Sequence, residues 1–135
     1  MYVKSLYATT AAIEGGAGLA LLCLPSAAAN LLLGAPLQQP AAFTVARIGG
    51  AGLLTLGVAC WLARNDAQSP AARGLIAAMV IYNIGVALIL GSAGVRSQSV
   101  GIILWPAVVL HTVMTAWCIM SLRSSSIAER PGNFS

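Results

Sequence analysis

Four long apolar runs, separated by short breaks rich in Pro, Asn and Ser, dominate this chain. A helix needs about 20 mostly apolar residues to cross a hydrocarbon core of about 30 Å, because each residue rises about 1.5 Å. Runs at 6–24, 41–62, 74–91 and 101–122 meet that length. The breaks carry the expected punctuation: Pro25, Pro36 and Pro40 bracket the first, residues 65–70 form the second, and residues 91–99 the third. Composition agrees, since 59% of the 135 residues are hydrophobic and 7% are charged, against about 25% charged in an ordinary soluble domain. So few charges exclude a soluble globular protein, a disordered chain and a nucleic-acid binder. A large enzyme with its own water-exposed catalytic domain is excluded as well. The expected architecture is all-α: an integral membrane four-helix up-and-down bundle spanning residues 1–122, followed by a polar, disordered tail at 123–135.

Orientation follows from the basic residues. Lys4, Arg64, Arg73, Arg123 and Arg130 fall on one side of the spans and Arg96 on the other. This positive-inside bias places both termini in the cytoplasm and accounts for the net charge of +4 without an acidic partner. Tyr2, Tyr7 and Trp61 fit the inner interface and Trp105 the outer one. An export signal is the competing reading of the start, with Ala27-Ala28-Ala29 as its cleavage site. Glu14 interrupts its apolar run, so the first helix is read as retained.

The first connection, residues 25–34, is too apolar for a solvated loop and too short to span. It reads as a short helix in the outer interface, with Ser26 as its cap and Gly34 as its stop, or as a plain connector. Gly15-Gly16-Ala17-Gly18-Leu19 is echoed by Gly49-Gly50-Ala51-Gly52-Leu53. Small residues let membrane helices approach closely, so both stretches read as packing faces.

Function is sought where a costly residue is tolerated in hydrocarbon. Each span has one such residue: Glu14, Arg47, Asn83 and His111. Counted from the inner ends, Glu14 and Thr55 lie at roughly 12 Å, Asn83 at roughly 15 Å and His111 at roughly 16 Å, with Arg47 at roughly 24 Å. Glu14 shares a small, polar helix face with Tyr7, Thr10, Ala11, Ala17 and Gly18. His111 shares one with Ala107, Val108, Met114, Thr115 and Cys118. Both faces should point inward. An ionised carboxylate at that depth needs a partner, which imidazolium, Arg47 or a bound cation would supply. Two readings stand side by side. In one, Glu14, Arg47, Asn83, His111 and Thr55 form a buried site for a small ligand or a proton relay. In the other, they hydrogen-bond one another and hold the helices in register.

Other chemistry has less support. Cys23, Cys60 and Cys118 lie in three different spans without paired spacing and read as buried free thiols, giving neither a disulfide nor a metal site. One histidine cannot ligate haem from both sides. Neither a phosphate loop nor a serine elbow is present. Pro106 is read as lying in the first turn of the fourth span, where it is innocuous.

Ala11-Ala12-Ile13-Glu14 resembles the small multidrug resistance transporters, in which a first-helix glutamate binds cationic drug or proton. The match ends at that residue, and Arg47 departs from the pattern because a cationic-drug site beside it is electrostatically poor. Further residues resemble small four-helix DoxX-like bacterial inner-membrane proteins, most of them of unknown function. These are Leu24-Pro25, the stretch from Leu31 to Pro36, Phe43-Thr44-Val45-Ala46-Arg47-Ile48-Gly49-Gly50 and Trp61-Leu62-Ala63-Arg64, in about half the chain. That resemblance implies the fold and a bacterial inner membrane, and it carries over no cofactor ligand.

Three functions are therefore expected in order: an accessory subunit or homo-oligomer without its own catalytic centre, a proton-coupled small-molecule transporter using Glu14, and a binder or redox partner of a quinone or pigment near His111. The partners implied are membrane lipids, a protein partner or a second copy, and a lipid-soluble small molecule. The sequence names no cofactor.

Overall fold

The structure is a computed structural model describing residues 2–66, 69–97 and 100–128, with side chains at 3–66, 69–97 and 100–124. The described residues form five helices and no strand: α1 (Tyr2–Cys23), α2 (Pro25–Leu33), α3 (Pro40–Ala63), α4 (Pro70–Arg96) and α5 (Leu104–Ala128). Four of them, all but α2, are long and apolar enough to cross a membrane. The chain is an all-α membrane protein.

Prolines open three of the helices. Pro25, Pro40 and Pro70 stand in the first turns of α2, α3 and α4, where the fixed φ suits the helix and the missing N–H had no intrahelical partner. Ser69 caps α4 by accepting from the Ala72 N–H at 3.1 Å. Pro106 is the third residue of α5, so the expectation of a harmless first-turn proline holds. Gly34 stops α2 with φ +79° and donates its N–H to the Asn30 carbonyl at 2.9 Å, a left-handed ending that glycine adopts without strain. Ser26 does not cap α2. Leu24 holds that position, and the Ser26 hydroxyl accepts instead from the Leu37 N–H at 3.2 Å, pinning the loop after α2.

Several helix ends differ from the sequence reading. α4 continues through Gly91, Ser92 and Gly94 to Arg96, a stretch read as connection. The start of α5 packs on it there: a Cβ on Gly94 would lie 2.8 Å from Leu104 and 3.0 Å from Trp105. These small residues therefore give close approach within a helix and do not end it. α5 extends to Ala128, into the segment read as tail, and residues 129–135 lie outside the described residues. It starts at Leu104 because Gly101 is occupied elsewhere. The Ile103 N–H reaches the Leu31 carbonyl at 3.1 Å, and a side chain on Gly101 would overlap that carbonyl.

The helices pack chiefly as α1 on α3 and α4 on α5. In the first pair Gly18 meets Gly50 and Leu54, and Gly57 meets Ala11 and Gly15, so the two helices run in opposite directions. The glycine echo is used unevenly. Gly18 and Gly50 are buried at the crossing, whereas Gly16, Gly49 and Gly52 have open space where a Cβ would stand. One core joins the two pairs, built from Leu6, Tyr7, Cys60, Ala72, Ile76, Met79, Met114 and Cys118. It fills the half nearer the chain ends. Pro25 and Ala29 of α2 are buried at the other end. Cys23 is exposed rather than buried, since it closes α1 just before the turn into α2.

Candidate functional site

Above that core, α1, α4 and α5 bring four polar side chains together. Glu14, on the small face of α1, is only 4% exposed. The Tyr82 hydroxyl on α4 donates to Glu14 Oε2 at 2.8 Å. The Tyr82 ring meets the His111 ring of α5 edge to face, with centroids 5.7 Å apart and planes at 81°. His111 Nδ1 lies 2.7 Å from Asn83 Oδ1. Each contact crosses between helices, so the cluster joins α1 to α4 and α4 to α5.

Asn83 decides the protonation of the histidine. Its Nδ2 donates to the Met79 carbonyl one turn back at 2.7 Å, which leaves Oδ1, an acceptor, facing the ring. His111 Nδ1 must therefore carry hydrogen, and in the neutral ring Nε2 carries the lone pair. Nε2 of the neutral ring can take a proton but cannot donate one to a carbonyl such as that of a quinone. Thr115 is tied to its own helix, donating to the His111 carbonyl at 2.8 Å.

The structure thus brings together three of the sequence candidates, Glu14, Asn83 and His111, and keeps two apart. Thr55 is exposed on α3 and bonds back to the Ala51 carbonyl at 2.8 Å. Arg47 is exposed as well. Glu14 is level with Gly57 at the crossing with α3, and Arg47 stands ten residues from Gly57, about 15 Å along the helix. Arg47 therefore does not reach Glu14. The partner of the carboxyl is a neutral phenol.

Tyr82 is the member that sequence reasoning missed. Its signal was its position, since a tyrosine in mid-span is out of place for a residue that favours the membrane interface. Tyr7 is fully buried, and its hydroxyl donates to the Ala72 carbonyl at 2.6 Å, joining α1 to the first turn of α4. Trp61 is exposed at the end of α3, with the Arg64 guanidinium 3.8 Å over its ring and donating to its carbonyl.

Among the described residues no three His, Cys, Asp or Glu side chains gather as metal ligands. The cluster can hold or pass a proton at Glu14 or His111 Nε2, and it holds three helices at a fixed level. No family model matches this chain, and no curated protein or solved structure matches it either.

Proposed function

We propose that the protein is a non-catalytic component of a membrane assembly, acting as an accessory subunit or as a homo-oligomer. The outer face of α1 and α3 carries the reading. It holds a groove of about 300 Å³ lined by Ala8, Ala11, Ala12, Gly15, Gly57 and Val58 among others, the kind of small-residue surface on which another membrane helix packs closely. A Cβ on Gly15 meets nothing within 4 Å. Gly15→Leu should therefore leave the protein folded, block the groove, and abolish co-purification or self-association in mild detergent. A wild-type monomer with no co-purifying protein would end the proposal.

The same proposal places the chain in a bacterial inner membrane, as a DoxX-like up-and-down bundle with α2 in the outer interface. Both termini are cytoplasmic, on the distribution of Lys4, Arg64, Arg73, Arg123 and Arg130 against Arg96. Reporter fusions after Asn65 should read cytoplasmic.

A second reading is favoured by the Glu14–Tyr82 pair. A buried carboxyl held by a phenol and, among the described residues, by no cation suits reversible protonation, as a proton-coupled carrier requires. Transport that is unchanged in Glu14→Gln would remove that reading.

A further inference from the structure

The groove between α1 and α3 has a cationic mouth on the side of the chain ends. Its α1 wall is built from Ala8, Ala11 and Gly15. Lys4 continues that stripe one turn below Ala8, on the same helix face, and is exposed. On α3 the wall ends at Trp61. Arg64 follows one turn later, with its guanidinium 3.8 Å over the Trp61 ring. Gly57 packs against Ala11 and Gly15. Arg64 stands about two turns beyond Gly57, which brings it level with the turn from Lys4 to Ala8. Two cations on neighbouring helices therefore flank one end of an apolar groove.

The depth of the groove is informative as well. It runs from Ala8 and Trp61 to Gly15 and Leu54. Beyond them Gly18 and Gly50 bring the two backbones together and close the seam. From Lys4 to Gly15 the helix rises about 16 Å, half of a hydrocarbon core of about 30 Å. The groove thus lies within one leaflet, with its cations and its tryptophan at the interface end. Asp66, two residues past Arg64, turns to the start of α4, where its carboxylate accepts from the Ser69 N–H at 3.2 Å. Arg64 donates to the Trp61 carbonyl, and the rest of its donor fork is left for an anion.

We propose that this face holds one anionic phospholipid of the leaflet on the side of the chain ends. Its phosphate lies between Lys4 and Arg64, and one acyl chain lies along the groove from Ala8 to Gly15. Charge selects the lipid, because basic pockets between membrane helices bind anionic headgroups. A zwitterionic lipid fits less well, since its own ammonium is repelled by the same two cations. Trp61 suits the boundary between headgroup and chain, with an apolar body and a polar edge. The site goes beyond the assembly reading. A partner helix packed on the same face would take the place of the acyl chain, so the lipid belongs to the free protein. Sequence spacing could not show this site, because Lys4 and Arg64 come from different helices.

The test uses the full-length protein in mild detergent, with bound lipid counted by native mass spectrometry. Phosphatidylglycerol and phosphatidylcholine of equal chain length are titrated in parallel. Wild type should retain one phosphatidylglycerol and prefer it to phosphatidylcholine by about tenfold or more. Lys4→Gln and Arg64→Gln should each weaken that retention by about fivefold. Arg123→Gln removes a cation from the same end of α5, away from the groove, and should change nothing. Gly15→Leu fills the groove and should lose the lipid with both cations in place. Glycerol phosphate, a headgroup without chains, should not displace it. Equal retention of the two lipids by wild type overturns the proposal. So does a loss in Arg123→Gln as large as in Lys4→Gln, full binding in Gly15→Leu, or displacement by glycerol phosphate. A protein that co-purifies with wild type while no lipid is retained overturns it too, and leaves the assembly reading standing.

Discussion

Tyr82 on α4 donates its hydroxyl to Glu14 on α1 at 2.8 Å, so the buried carboxyl of this protein is satisfied by a phenol. The pair also sets the level of the two helices, because Tyr7 makes a parallel link from α1 to α4 below it, through the Ala72 carbonyl. Two hydroxyls thus fix the register between α1 and α4, which are not paired by close backbone packing.

Removing one hydroxyl should cost more than neutralising the acid. Tyr82→Phe leaves the Glu14 carboxyl without its donor and should destabilise the protein by about 1–2 kcal/mol, within the range for interhelical hydrogen bonds. Glu14→Gln keeps an acceptor for Tyr82 and should cost less than about 0.5 kcal/mol. Unfolding in mixed micelles measures both. Equal losses in the two variants would show that the hydrogen bond does not hold the carboxyl.

The chain has a single histidine, so its tautomer can be read without assignment. With ¹⁵N-histidine labelling, His111 should show a protonated Nδ1 and a bare Nε2 in its neutral form. Asn83→Leu removes the acceptor and should give a mixture of tautomers. A protonated Nε2 in wild type would reverse the inferred direction of the His111–Asn83 hydrogen bond.

Glycines of the same motif should respond differently. A Cβ on Gly18 would lie 2.6 Å from the Leu54 nitrogen and 2.7 Å from the Gly50 carbonyl, both backbone atoms, whereas Gly52 has open space. Gly18→Ala should destabilise by about 1–3 kcal/mol as α1 and α3 are forced apart. Gly52→Ala should be neutral or stabilise by up to about 1 kcal/mol, since alanine is the better helix former. Similar effects at both positions would contradict the observed crossing.

Gly101 should be intolerant for a different reason. Its backbone lies against the Leu31 carbonyl at the end of α2, where the Ile103 N–H also bonds. Gly101→Ala should push the segment off α2 and raise hydrogen exchange at Ile103 by about tenfold or more. Unchanged protection would show that α2 is not held by this contact.

Much of the fold was legible because hydrocarbon leaves few choices. A run of apolar residues long enough to cross it must be a helix, since every backbone N–H and C=O has to be satisfied within the segment. Gly34 and the opening prolines were likewise readable from their own backbone chemistry. The glycines of residues 91–94 misled, because glycine in a membrane helix serves close approach as readily as a break. Glu14, Asn83 and His111 stood out as costly residues at similar depth. Depth says nothing of direction around the helix, and for that reason Thr55 and Arg47 were counted with them while Tyr82 was passed over.

The sequence by itself determined that this is a membrane protein with four apolar helices, and it marked the few polar groups lodged within them. These follow from local composition and from the energetics of a backbone in lipid. Only the tertiary structure decided that Glu14 meets Tyr82, that Asn83 orients His111, that Arg47 stays away, and that Cys60 and Met79 adjoin. Those relations depend on how each helix is rotated and shifted against its neighbours. Side-chain packing across helix pairs sets that rotation, and residues close in space there are far apart along the chain.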